Sequence, residues 1–129
     1  RLSQRFGSQG VGSFEPRFSY HEVHYVTVYG LSEPPFLADV VGYRLTSNFS
    51  RSGEFECSSD LLTRIYETTV NNYRGITTGG TTVDCPHRER RGYGGDGHSS
   101  YEFAQHNFAT GAFHTKGARD FADIQTPIN

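Results

Sequence analysis

The sequence predicts an α+β fold, with short strands in the N-terminal part of the chain and helices in the C-terminal part. Runs rich in β-branched and aromatic residues, separated by turn-forming residues, precede Cys57. After Cys57 the apolar residues recur at helical spacing, and a long Gly- and Thr-rich stretch interrupts them. We therefore expect a β-rich segment over 1–57 and a helical segment over 58–129.

Three runs in the β-rich segment predict strands. VHYVTVYG at 23–30 is rich in the residue types that strands favour, and its side chains alternate between two faces. SEPPF at 32–36 ends this run, because proline cannot continue a hydrogen-bonded ladder. Residues 39–49 and 53–57 predict a second strand and a short third one. Residues 1–14 fit either an edge strand or a loose arm.

The segment after Cys57 predicts three helices. The first, over 58–74, has an apolar face at helical spacing made of Leu61, Leu62, Ile65, Tyr66, Val70 and Tyr73. A second helix is expected over 97–109 and a third over 112–125. The stretch at 76–96 is a loop of about twenty residues, and loops of that length inside a compact domain are more often functional than structural.

The composition excludes several classes of function. The chain has 129 residues, a net charge of −2 and a pI near 6.3, which gives no electrostatic footprint for nucleic acid or an anionic membrane. No apolar run is long enough to cross a bilayer, and the polar start does not read as a signal peptide. The chain begins without Met, as expected for a processed or partial product. Aromatic residues make up 14% of the sequence, which suits both a packed core and a sugar-binding surface.

Two cysteines and one glycosylation sequon are the residues that bear on whether the protein is secreted. Cys57 and Cys85 are enough for one disulfide, but their number leaves both the pairing and the compartment open. Asn48 begins an Asn-Phe-Ser triplet, which is an N-glycosylation acceptor in a secreted protein. We expect a secreted or extracellular protein in which Asn48 is exposed and, in a glycosylating source, modified.

The stretch DCPHRERRGYGGDGH at 84–98 is dense in charge and glycine. Its one glutamate, Glu89, stands among three arginines and between two aspartates. Neighbouring cations favour an ionised carboxylate, whereas burial favours a protonated one. One interpretation is a salt-bridged surface loop, with Arg88 paired to Asp84 or Asp96. The other is that these acids and arginines hold a polyhydroxylated ligand through paired hydrogen bonds.

Three further residues of the loop have a structural as well as a functional interpretation. Asp84 suits an Asx turn before Cys85, and Asp96 suits a helix N-cap. Tyr93 is flanked by glycines that permit close approach of the backbone. It suits either a packed ring or a platform on which a sugar stacks.

A metal site is not favoured. Cys85, His87, Asp96 and His98 are ligand types, but their spacing is not a recognised zinc pattern. A nucleophilic pair of Cys85 and His87 is weaker still, since residues two apart rarely face each other. We expect neither a metal nor another cofactor.

The loop resembles the signature loop of the α-L-rhamnosidases of glycoside hydrolase family 78. In that family it commonly reads Asp-Cys-Pro-(Gln/His)-Arg, then one or two acidic residues, then Arg-Leu-Gly-(Trp/Tyr)-x-Gly-Asp. This chain has one acidic residue at that point and Arg91 in place of Leu. The stretches at 18–31, 53–75 and 108–125 are similar in turn to the end of the family's β-sandwich, the entry into its first barrel helix, and the helices that follow.

The resemblance implies the C-terminal part of a β-sandwich over 1–57, followed over 58–129 by the first helices of an incomplete (α/α)6 barrel. It also implies hydrolysis of terminal α-L-rhamnose with inversion, a reaction that needs a general acid and a general base. By position, Glu89 corresponds to the general acid. The residues that correspond to sugar-binding positions are Asp84, Arg88, Tyr93 and Asp96. The family's general base lies beyond residue 129, so this chain alone is expected to be inactive.

Two classes of function follow. The first is a fragment of an inverting α-L-rhamnosidase, whose partners are rhamnosides and the remaining part of the barrel. The second is a structural or carbohydrate-binding subunit derived from such an enzyme. Its surplus apolar faces would be buried between copies of the chain, as in a filament.

Overall fold

The computed structural model describes residues 12–125. Within that range the chain forms three α-helices, α1 (Asp60–Ile76), α2 (Gly95–Asn107) and α3 (Gly111–Asp123), and two single-turn 3-10 helices at Leu37–Asp39 and Thr78–Gly80. The three helices predicted from the sequence are confirmed, with ends displaced by no more than two residues. No helix among the described residues is long and apolar enough to span a bilayer.

The three predicted strands are wrong for this structure. Residues 23–30, 39–49 and 53–57 form no strand, and the one β-bridge among residues 12–125 joins Arg51 to Phe108 in antiparallel orientation. A strand is stabilised by hydrogen bonds to a neighbouring strand, and the described residues supply none. The division of the chain into 1–57 and 58–129 stays a prediction, and residues 1–11 lie outside the described part.

Helix α1 forms because its sequence places one apolar stripe toward the rest of the chain. Val70 and Tyr73 are 1% and 2% exposed. Near the N-terminus of the same helix, Leu61 and Ile65 remain exposed. After the last turn, the Thr77 hydroxyl donates to the carbonyl oxygen of Tyr73 at 2.9 Å and satisfies a terminal backbone acceptor. The buried part of α1 is therefore the C-terminal half, which leads directly into the long loop.

The core is a small aromatic cluster where α1 meets α2. Its buried members are Val70, Tyr73, Ala104 and Phe108, and its partly buried members are Phe49, Tyr66, Ile76 and Phe103. The rings of Tyr73 and Phe108 stack with centroids 5.4 Å apart. Burial raises the pKa of Tyr73 to about 12, because the charged phenolate is disfavoured away from water. The core thus fixes the angle between the two helices that flank the loop.

A polar clamp ties the coil before α1 to the end of α2. Arg51 Nη2 donates to the Tyr66 hydroxyl at 2.6 Å, and that hydroxyl donates to Asn107 Oδ1 at 2.5 Å. Two backbone bonds run alongside, from Ser52 N to Asn107 O at 3.0 Å and from Ala109 N to the Ser50 carbonyl at 2.9 Å. The clamp satisfies the buried Asn107, which would otherwise lose hydrogen bonds to water on folding.

Gly53 is expected to be required for this clamp. A methyl group added there would clash with the backbone carbonyl of His106 at the end of α2. Gly53→Ala should therefore lower the free energy of unfolding by about 1–3 kcal/mol, the usual cost of a steric change at a packed position. Gly42→Ala is the matched control, because a methyl group at Gly42 meets no atom within 4 Å. Equal urea midpoints for the two variants would contradict the clamp.

Candidate functional site

The long loop that joins α1 to α2 contains a largely buried segment, residues 81–83, called the first arm. Val83 donates its backbone N–H to the Ile76 carbonyl at 2.8 Å, and the side chains of Val83 and Thr82 are buried. These contacts fold the arm back against the C-terminal end of α1. Because the arm is anchored on the core helix, the next residue, Asp84, has a defined position.

Asp84 and Arg91 close the loop on itself through reciprocal bonds. The backbone N–H of Asp84 donates to the carbonyl oxygen of Arg91 at 3.1 Å, and the backbone N–H of Arg91 donates to Asp84 Oδ1 at 3.2 Å. The second arm, residues 91–93, runs back past the first. A Cβ at Gly92 in this arm would clash with the Thr81 hydroxyl and lie 3.2 Å from the Thr82 carbonyl. Glycine at 92 is therefore what allows the two arms to approach this closely.

A tight turn at the tip of the loop brings Glu89 back toward Asp84. The carbonyl oxygen of Cys85 accepts the backbone N–H groups of Arg88 at 3.1 Å and Arg90 at 3.2 Å. As a result, one side-chain atom from each of Asp84, Cys85 and Glu89 lies within 4.8 Å of the others. The Cys85 Sγ is 3.4 Å from Asp84 Oδ2 and 3.7 Å from Glu89 Oε2.

The electrostatics of this cluster favour an ionised Asp84. Its hydrogen bond with Glu89, helped by the backbone N–H groups of Cys85 and Arg91, lowers the pKa of Asp84 to about 2. Desolvation raises the pKa of the Cys85 thiol, and the neighbouring carboxylates add to that effect, so Cys85 stays protonated. On the solvent side, Arg88 Nη2 lies 3.2 Å from Glu89 Oε1.

Among the site residues predicted from the sequence, the structure brings together Asp84, Arg88 and Glu89. Arg88 pairs with Glu89 rather than with either aspartate. Tyr93 is 60% exposed, and neither Tyr93 nor Asp96 is joined to the other three by a hydrogen bond or ion pair within residues 12–125. The structure thus shows a carboxyl pair with one arginine, whereas Tyr93 and Asp96 follow farther along the chain without a bond to that pair.

Two structural roles suggested by the sequence are wrong. Helix α2 begins at Gly95, so Asp96 lies in its first turn, and the N-cap is Gly94 at φ 86°. A side chain at position 94 would be strained in that left-handed conformation. Asp84 does not form an Asx turn, because its side chain accepts from Arg91, seven residues on, rather than two residues on.

The remaining sequence candidates are placed as follows. Cys85, His87, Asp96 and His98 do not form a cluster of potential ligands within the described residues, and His87 Nδ1 instead lies 3.2 Å from Glu22 Oε2. Cys57 and Cys85 are both free thiols. The side chain of Asn48 is exposed, as expected for an acceptor, and its glycosylation stays a prediction.

Sequence reasoning missed three residues at the loop. It did not predict that the Cys85 thiol lies against both carboxyl groups, nor that residues far back in the chain reach the loop. Arg90 Cζ lies 4.6 Å from the centre of the Tyr20 ring, and Glu22 pairs with His87. The order Asp-Cys in the motif was a signal for the first contact, whereas nothing in the sequence singles out Tyr20 or Glu22.

Comparisons with known proteins agree on one family. Residues 50–129 match the family model described as the bacterial alpha-L-rhamnosidase 6 hairpin glycosidase domain. The chain is 34% identical over 122 residues to an alpha-L-rhamnosidase of Formosa agariphila, and 31% identical over 119 residues to one of Streptomyces avermitilis. Each alignment covers 92% of this chain and 12% of the relative, so the chain spans a small part of their length. No solved structure matches the chain.

The lowered pKa of Asp84 predicts a specific pH dependence. Its contacts favour the ionised form, so the stability they contribute is complete above the ordinary pKa of 3.8 and is lost as the pH falls through about 2. We expect the ¹³C resonance of the Asp84 carboxyl group to titrate with a midpoint near 2. In Glu89→Ala, which removes the largest cause, the midpoint should rise toward 3.8. Glu67→Ala, at an exposed position on α1, is the control.

Proposed function

Because the chain belongs to the bacterial α-L-rhamnosidase 6-hairpin glycosidase family, we propose that it is the acid-bearing segment of an enzyme that removes terminal α-L-rhamnose with inversion. Membership of this family supports a glycoside hydrolase. The proposal that this segment bears the general acid rests on the contact between Asp84 and Glu89 in the signature loop. Helices α1 to α3 are then the first helices of an (α/α)6 barrel.

Glu89 is proposed as the general acid that protonates the leaving glycosidic oxygen. Asp84 lies beside it, with a carboxyl oxygen within 4.8 Å of a Glu89 oxygen, and the lowered pKa of Asp84 keeps that neighbour ionised. The Glu89 side chain is 42% exposed, so it is open to a substrate while Asp84 lies beside it.

The general base is proposed to lie outside this chain. An inverting pair needs carboxyl groups about 6.5–9.5 Å apart so that a water molecule fits on the far side of the sugar. Asp84 and Glu89 offer oxygen atoms within 4.8 Å of each other, which leaves no such space. Asp84 is therefore assigned to holding Glu89 and the sugar, and the base to another part of the enzyme.

Arg88, Tyr93 and Asp96 are proposed to bind the sugar together with Asp84. Arg88 is 67% exposed along its side chain and has donors beyond the one that faces Glu89. The exposed Tyr93 ring offers an apolar face for a sugar ring. The Asp96 carboxylate has no hydrogen-bond partner among residues 12–125, so it is available to accept from sugar hydroxyl groups.

The apolar residues that α1 leaves exposed need a further partner. Leu61, Leu62 and Ile65 are each more than half exposed. In the proposed enzyme, the remaining helices of the barrel cover them. In the alternative, a non-catalytic assembly subunit, copies of the chain cover them, and α-L-rhamnosidase activity is absent from the native assembly.

Substitution of the acid tests the proposal. In the full-length enzyme, Glu89→Gln should lower turnover of an aryl α-L-rhamnoside by about two to four orders of magnitude, the usual contribution of a general acid. Binding should be largely retained, because glutamine keeps the shape and one acceptor oxygen. Glu67→Gln, at an exposed position on α1, should leave turnover unchanged. A fully active Glu89→Gln enzyme would exclude Glu89 as the acid.

The 129-residue chain by itself should not hydrolyse rhamnosides. Inversion requires two carboxyl groups in different roles, and the proposal places only the acid in this segment. The measurement is release of the aryl group by a verified monomer, with the full-length enzyme as the positive control. Turnover by the monomer would show that the base lies within the chain.

A further inference from the structure

Arg90 has an unusual backbone for its residue type. At φ 57° it is the one non-glycine residue with positive φ within residues 12–125. A residue with a Cβ adopts this left-handed conformation at an energetic cost, and glycine or asparagine is the usual occupant. Because Arg90 immediately follows Glu89, this conformation sets the direction in which the chain leaves the proposed acid.

The side chain of Arg90 holds that conformation from two sides. Its Nε donates to the carbonyl oxygen of Pro86 at 2.9 Å, across the turn. Its guanidinium lies over the ring of Tyr20, with Cζ 4.6 Å from the ring centre, a distance at which a cation is attracted to the ring face. The backbone N–H of the same residue donates to the Cys85 carbonyl at 3.2 Å. Arg90 therefore closes the turn with both its main chain and its side chain.

The neighbouring arginines do not share this arrangement. Arg88 and Arg91 are exposed, whereas Arg90 is half-buried. The guanidinium of Arg91 has no partner among the described residues, although its backbone bonds Asp84. Because the guanidinium of Arg90 is held by Pro86 and Tyr20, Glu89 faces only one of the three arginines and stays beside Asp84.

We propose that Arg90 is the positioning residue for the general acid: its left-handed backbone, anchored by Pro86 and the Tyr20 ring, fixes the turn that holds Glu89 against Asp84. This inference rests on the proposed function in its assignment of Glu89, and it adds a residue that acts through Glu89 without touching the substrate. It also gives the coil at Tyr20 a role in the site, because that ring covers the anchor.

The first test uses the 129-residue chain and no substrate. Asparagine tolerates positive φ but lacks a guanidinium, so Arg90→Asn keeps the backbone option and removes the anchor. We expect the carboxyl titration of Asp84 to shift from about 2 toward 3.8 in this variant, because Glu89 moves away. Arg91→Asn is the matched control and should leave the midpoint near 2. An unchanged midpoint in Arg90→Asn would overturn the proposal.

A second pair of variants keeps the test decisive if Arg90→Asn unfolds, as judged by circular dichroism. Arg90→Lys retains the charge but not the planar Nε–H, and Tyr20→Leu removes the ring but keeps an apolar side chain. Both should shift the Asp84 titration in the same direction. A midpoint that stays near 2 in both would also overturn the proposal.

The kinetic test separates positioning from general structural damage. In the full-length enzyme, Arg90→Lys should lower kcat by up to about 100-fold, the scale of a misplaced catalytic group, with KM changed less than about twofold. Equal losses in Arg90→Lys and Arg91→Lys would count against a specific role. If the Asp84 titration shifts as expected but Glu89→Gln is fully active, then Arg90 does position Glu89, but Glu89 is not the general acid.

Discussion

The reciprocal bonds between Asp84 and Arg91 are the constraint on which the site depends. They join two points seven residues apart and turn a charged, glycine-rich stretch into a closed loop with a tight tip. Without them, Glu89 would be surrounded mainly by arginines, which favour an ionised carboxylate. With them, a carboxyl oxygen of the glutamate lies within 4.8 Å of one from an ionised aspartate, and only Arg88 of the three arginines pairs with it.

The rest of the structure supports this loop from behind. Val83 is bonded to the end of α1, and α1 is packed on α2 through the Tyr73 and Phe108 rings. The arginines of the loop are used in three different ways. Arg88 meets Glu89, the backbone of Arg91 bonds Asp84, and the guanidinium of Arg90 is directed away to Pro86 and Tyr20. A cluster that appears uniformly basic in the sequence therefore presents one guanidinium to the proposed acid.

The sequence predicted the features that depend on near neighbours. Helix α1 was found because its apolar residues recur every three or four positions, a signal contained in the helix itself. The strand at 23–30 failed because a strand needs a partner, and local residue preference cannot supply one. Glu89 was identified through the motif, but its contact with Asp84 depends on the left-handed turn at Arg90, and spacing does not reveal a backbone angle. The start of α2 at Gly95, ahead of Asp96, was missed for the same reason.

Proton donation by Glu89 to the leaving group is tested most directly by varying that group. The measurement is kcat/KM of the full-length enzyme and of Glu89→Ala for aryl α-L-rhamnosides whose phenols span several units of pKa. An enzyme with its acid intact should depend only weakly on the phenol, because protonation compensates for a poor leaving group. Glu89→Ala should depend on it steeply and approach the parent activity only for the most acidic phenols. The same dependence in both proteins would exclude Glu89 as the proton donor.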